Sequence, residues 1–144
     1  MDITKELLQG YRSKKAEIQE LDWKLKNRWR DEALIGNDVI FDYSKGYPIP
    51  QAVVGFDYGK YERLQNQDQR RKEKLEQECE EAEKFVGSIE KSLERRIFQM
   101  YFIDGAEQPT QKEVAKAVHM ERSSISKKID DYLQLSHNSH DSHL

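Results

Sequence analysis

The chain has 144 residues, room for one ordinary domain or two small ones. Charged residues make up 35% and hydrophobic residues 36%, a balance that excludes a thick apolar core and suits long helices with narrow apolar seams. A net charge of -3 excludes a global basic field, so any nucleic-acid contact has to come from a local patch.

Cys79 is the single cysteine, which excludes an intrachain disulfide and a cysteine zinc site. Met1 to Gly10 lacks a basic start followed by an apolar run, so no signal peptide is expected. No stretch approaches the roughly 18 apolar residues of a membrane span. The expected address is cytoplasmic.

Asp2 to Ala33 contains no proline and reads as one helix. Leu7, Tyr11, Ile18, Leu21 and Leu25 recur at helical steps, with Lys14 standing in the seam between Tyr11 and Ile18. Trp23 and Trp29 fall off that seam and are candidates for a second contact surface.

Leu34 to Gly59 holds four of the seven glycines and two of the three prolines. Val39-Ile40-Phe41 and Ala52-Val53-Val54 are short β-prone runs between turn residues. The segment is expected to be an irregular aromatic loop or a small hairpin. Phe41, Tyr43, Tyr47, Phe56 and Tyr58 either dock it onto the helices or offer a partner surface.

Tyr61 to Ser92 reads as a second long helix. Leu75, Cys79, Ala82, Val86, Ile89 and Leu93 alternate steps of four and three, a heptad seam. Arg70-Arg71-Lys72 is interleaved with Glu73, Glu76, Glu78 and Glu83, which describes a solvated helix surface rather than a nucleic-acid patch. Gly87 costs about 1 kcal/mol relative to alanine inside a helix and is expected to mark an end or a bend. The two helices can pair antiparallel within one chain or across a dimer, and spacing alone leaves both open.

From Leu93 onward the apolar period is that of a globular helix. Leu93, Ile97, Met100 and Tyr101 form one face, with Phe98 and Phe102 beside it, and Asp104-Gly105 stops the helix. Thr110 followed by Glu113 has capping-box spacing. Val114, Ala115 and Val118 make the inner face of a two-turn helix. His119-Met120-Glu121 is a three-residue connection, with Glu121 able to cap the helix that follows. Ile125, Ile129, Tyr132 and Leu133 then point inward. Arg122, Ser123, Ser126, Lys127 and Asp130 are left outside. Short donors and long cations on the first half of an exposed helix are what major-groove reading needs.

This run resembles region four of bacterial sigma factors. Met100-Tyr101-Phe102-Ile103-Asp104-Gly105 matches the end of its first helix, Thr110-Gln111-Lys112-Glu113-Val114-Ala115 the scaffold helix, and Ser123-Ser124-Ile125-Ser126-Lys127-Lys128 the recognition helix. Two positions depart: His119 stands where that family has a turn glycine, and Lys128 where it has an apolar residue. The resemblance implies DNA contacts from Gln111, Lys112, Arg122, Ser123, Ser124, Ser126, Lys127 and Lys128. A helical amino-terminal half, an aromatic linker and one such motif together resemble the phage and prophage late transcription regulators of the RinA and ArpU type. That likeness implies an activator of phage genes that binds double-stranded DNA and acts with host RNA polymerase.

The expected fold is all-α: two long coiled-coil-type helices joined by the aromatic loop, then a compact helix-turn-helix domain. Residues 1–92 form the coiled-coil oligomerisation region, with 34–59 as its loop or hairpin. Residues 93–136 form the helix-turn-helix domain and 137–144 a disordered tail. Neither a phosphate-cradling glycine motif nor a nucleophile with its base is visible, so no enzyme is expected. His137, His140 and His143 lack a carboxylate or thiolate cage, and neither metal nor cofactor is expected. A homo-oligomer is expected, because one recognition helix with few cations binds weakly. The competing readings are a helical protein–protein adaptor and a small DNA-packaging (terminase-like) subunit.

Overall fold

The computed structural model describes residues 5–31, 34–42, 46 and 49–141; the side chains of 35–42, 49–54 and 135–141 fall outside that description. The described chain is mostly helical. It divides into two units, Met1–Ile18 with Lys74–Leu144, and Gln19–Glu73.

The single helix expected over Asp2 to Ala33 is corrected to three pieces: α1 (Lys5–Gln9), α2 (Tyr11–Asn27) and a 3-10 turn (Arg28–Arg30). Gly10 makes the break, since a residue without Cβ gives up the most backbone entropy in a helix. Its hydrogen bonds stay helical: Gly10 N–H donates to the Glu6 carbonyl and Lys14 N–H to that of Gly10, both at 3.0 Å. Asp2, Glu32 and Ala33 lie outside the described residues.

The second long helix, α3, runs Tyr58–Gly87. It starts three residues earlier than the seam implies because Asp57 caps it, Oδ1 accepting from Lys60 N–H at 3.0 Å. It stops at Gly87, where Ser88 N–H reaches the Lys84 carbonyl at 3.0 Å and Ser88 Oγ donates to that of Phe85 at 2.7 Å. Cys79, Ala82 and Val86 of the seam are buried before the break and Ile89 just past it, whereas Leu75 is half-buried. Leu93 is a correction. It lies exposed, because the helix restarts at Ser92 and the restart resets the phase.

In the Gln19–Glu73 unit, α2 and α3 are tied antiparallel within the chain. Lys72 meets Asp22 at 3.1 Å, and the buried Arg28 pairs with Asp68 while donating to Gln65 Oε1 at 2.6 Å. Gln65 Nε2 in turn donates to the Leu25 carbonyl at 3.1 Å. Between these helices β1 (Ile35–Asp42) pairs antiparallel with β2 (Ile49–Phe56), in register from Ile35 opposite Phe56 to Asp42 opposite Ile49. Both β-prone runs fall inside this hairpin. Phe56 packs against Tyr58 and Tyr61, with ring centroids 4.9 and 5.4 Å apart. Tyr43 and Tyr47 lie outside the described residues.

In the other unit the same antiparallel sense holds: Tyr11 hydroxyl donates to Glu83, and Lys14 pairs with Glu78 at 2.8 Å. Lys14 thus interrupts the seam without an uncompensated charge. Leu8, rather than the expected Leu7, is the fully buried leucine. α4 (Ser92–Phe98) continues into a π-helical turn (Gln99–Ile103), then come α5 (Gln111–Ala117) and α6 (Arg122–Asp141). One apolar cluster joins Leu8, Tyr11, Cys79, Val86 and Ile89 to the carboxy-terminal helices.

One further expectation changes. The face of α4 is Ile97, Phe98 and Phe102, with Met100 and Tyr101 half-buried. The π turn closes with Asp104 N–H on the Gln99 carbonyl at 2.9 Å, five residues back, and this wider step shifts the phase. α6 runs through Asp141, into the segment expected as a tail. Residues 142–144 lie outside the described residues. No helix among the described residues is long and apolar enough to cross a membrane.

Candidate nucleic-acid interface

The scaffold helix begins where its sequence places a cap. Thr110 has extended backbone angles and its Oγ1 accepts from Glu113 N–H at 3.1 Å. Val114, Ala115 and Val118 are buried, and the small Ala115 leaves room for α6 to cross. After α5 the chain turns through His119, whose φ of 59° makes it the one left-handed non-glycine among the described residues. Such a residue departs from the usual L-amino-acid regions, and histidine is among those that tolerate it. The turn closes with Met120 N–H on the Ala115 carbonyl at 2.8 Å, and the Met120 side chain packs on the core. Ser124 N–H donates to the Glu121 carbonyl at 3.0 Å at the start of α6.

Ile125 and Ile129 of α6 are fully buried, with Tyr132 and Leu133 packed on the same cluster. The Tyr132 ring lies 5.4 Å from Phe98 and 5.9 Å from Phe85. Burial, and after it the charges of Glu94 and Glu90, raise the Tyr132 hydroxyl above its ordinary range. At 3.6 residues per turn, this inner stripe leaves Ser123, Lys127, Asp130 and Gln134 on the opposite side, and all four are exposed.

The candidate contacts separate by exposure. Arg122, Ser123 and Lys127 on α6 and Lys112 on α5 are exposed. Ser124, Ser126, Lys128 and Gln111 are half-buried on the flanks. Lys128, at the position where an apolar residue was expected, sits beside the stripe, and Ile129 takes the buried place one step later. Among the described residues, Lys112, Arg122, Lys127 and Lys128 form no ion pair. The outer face turns acidic further along, at Asp130 and Asp131, so its cationic part is confined to the first two turns. Asp130 itself pairs with Lys5 at 3.1 Å.

Sequence spacing missed a residue that holds this region in place. The Arg12 guanidinium from α2 donates to four carbonyls around the end of the π turn. These are Met100 at 3.2 Å, Tyr101 at 2.9 Å, Asp104 at 2.7 Å and Gly105 at 3.3 Å. The Met100 and Tyr101 carbonyls are among those that a helix end leaves without partners. Burial lowers the Arg12 pKa, while Asp104 and then Tyr11 work against that. No local signal marks Arg12, because its partners lie some ninety positions away, 89 for the Tyr101 contact.

Among the described residues no group of three histidine, cysteine or carboxylate side chains could hold a metal ion. The side chains of His137 and His140, and residue His143, lie outside the described residues. Comparisons with protein-family models, with curated proteins and with solved structures find no match to this chain.

Proposed function

We propose that this protein is a sequence-specific double-stranded DNA-binding regulator of transcription, of the phage and prophage late-activator kind, acting with host RNA polymerase. The observation that carries the reading is the pairing of α5 and α6 through a left-handed turn, with unpaired cations on the exposed start of α6. In this reading Arg122, Ser123 and Lys127 enter the major groove, Lys112 and Gln111 reach the phosphates, and Ser124, Ser126 and Lys128 contact the groove walls. Residues 1–92 act as a coiled-coil oligomerisation region. Two copies make up through effective concentration for the few cations each copy presents.

A mobility-shift titration tests this. The probe is upstream DNA from the protein's own genome, at two salt concentrations. Arg122→Ala should cost about 1–3 kcal/mol of specific binding, and Lys127→Ala should weaken binding and flatten its salt dependence. Both side chains are exposed, so both variants should fold. Ile125→Ala is the contrasting control: Ile125 is fully buried, and its truncation should destabilise the domain by about 2–5 kcal/mol. Wild-type protein with no sequence preference would overturn the regulator reading. Surface variants that leave DNA binding unchanged but disrupt a protein complex would favour a helical adaptor.

A further inference from the structure

The Gln19–Glu73 unit carries a groove of about 710 Å³ between α2 and α3, within the roughly 300–1,000 Å³ that recognition pockets occupy. Among the described residues its apolar lining comes from Trp23 and Leu64. Trp23 is 66% exposed, and no ring or cation among the described residues covers it. Large aromatic side chains left open beside a groove are the commonest anchors of protein recognition.

The charges around the groove are sorted. Arg28 and Asp68 neutralise each other, and Gln65 takes a further Arg28 N–H. Lys24 and Arg30 line the groove with no ion pair among the described residues. Arg30 is held in place by the Trp29 ring, 4.6 Å from its guanidinium carbon, and the Trp29 indole N–H is already given to the Lys26 carbonyl at 3.1 Å. Among the described residues the groove therefore offers an apolar floor and an excess of positive charge, with Lys24 and Arg30 outside ion pairs against the one further carboxylate, Asp31.

We propose that this groove docks an acidic amphipathic helix of a partner protein. Apolar side chains at helical spacing enter beside Trp23 and Leu64, and carboxylates on the flanks meet Lys24 and Arg30. A nucleic-acid strand fits less well, because Asp31 lines the same wall. A helix can place its carboxylates away from it, whereas a phosphate backbone carries charge at every step. The inference is independent of the DNA reading, since it uses none of the residues of α5 or α6.

The test uses the full chain and a fluorescein-labelled synthetic helix with leucine and phenylalanine at helical spacing and glutamate elsewhere. Its twin carries lysine at the glutamate positions, and an oligothymidylate serves as the nucleic-acid arm. In anisotropy titrations the acidic peptide should bind at micromolar concentration and the basic twin at least tenfold more weakly. Trp23→Ala should weaken the acidic peptide at least tenfold, and the Lys24→Glu/Arg30→Glu double variant should reverse the preference between the twins. In a Trp29→Phe background the remaining tryptophan reports the site directly, and its emission should shift to the blue with the acidic peptide. Circular dichroism checks that the variants are folded, and the charge-reversed pair keeps the test decisive if Trp23→Ala is not. Equal binding of the twins, or Trp23→Ala binding like wild type, would overturn the proposal. So would a Trp23 response to oligothymidylate alone.

Discussion

Replacing Arg12 by methionine isolates the link between α2 and the end of the π turn. Methionine keeps an apolar stem of similar length and removes all four N–H donors. A hydrogen bond to a charged group contributes about 1.5–3 kcal/mol to stability. The four contacts do not add at that value. Asp104 and Gly105 are exposed, so water replaces the guanidinium at their carbonyls, whereas Met100 and Tyr101 are half-buried. Burial also opposes the charged guanidinium, which the lowered pKa records. Roughly two contacts therefore count, each at the low end, and the expected loss is about 2–3 kcal/mol. Urea unfolding followed by far-ultraviolet circular dichroism measures it as a lower midpoint with an unchanged slope. Arg12→Lys should recover only part of the loss, because an ammonium lacks the planar fork that spans several carbonyls. A loss below about 0.5 kcal/mol for Arg12→Met would refute the reasoning, since the carbonyls would then be equally content with water.

His119→Gly should stabilise the protein by about 0.5 kcal/mol, the relief of a left-handed L-residue being partly offset by glycine's freedom in the unfolded chain. His119→Val should destabilise it, and thermal melts of the two variants should move in opposite directions. Glu83 is held below its ordinary value of 4.5, first by the Tyr11 hydroxyl and then, against the cost of burial, by Lys15. A lowered folded pKa gives stability that is present above pH 4.5 and lost as pH falls through the folded value. Tyr11→Phe should therefore flatten the acid limb of a stability–pH curve, and an unchanged limb would count against the contact. Burial, ahead of the surrounding charges, raises the Cys79 thiol above its ordinary range, so the native protein should resist alkylation that proceeds readily in denaturant.

Residues whose partners are near in sequence were legible; those with distant partners were not. The Thr110 cap and the buried Val114, Ala115, Ile125 and Ile129 follow from steps of three and four, because a helix places those residues on one face. The hairpin was one of two readings, since β-prone runs between turn residues do not say whether they pair. Periodicity failed where backbone geometry changed without changing composition. It carried the α3 seam through Gly87 to Leu93, and it could not see the π turn that carries Phe102 inward and leaves Met100 and Tyr101 half-buried. The role of Leu8 was invisible for another reason. Leu7 and Leu8 are equally apolar neighbours, and only the packing partners of the folded chain choose between them.

The candidate site shows the same division at its turn. A family pattern with glycine between the two helices makes His119 look like a defect in the motif. The physical requirement is narrower than the residue type: one position must take positive φ, and here histidine takes it at 59° while the flanking hydrogen bonds close. Lys128 follows similar logic. An apolar residue three after Ile125 is one way to bury the second turn of α6, and Ile129 at four steps is another. The four-step choice leaves Ser123 and Lys127 directly opposite the core and Lys128 on the flank. If the chain binds DNA as proposed, the loss of binding should therefore be greater for Lys127→Ala than for Lys128→Ala. The titration that compares them also reports the rotation of α6, since a greater loss for Lys128→Ala would mean that the groove meets the helix from the Lys128 side.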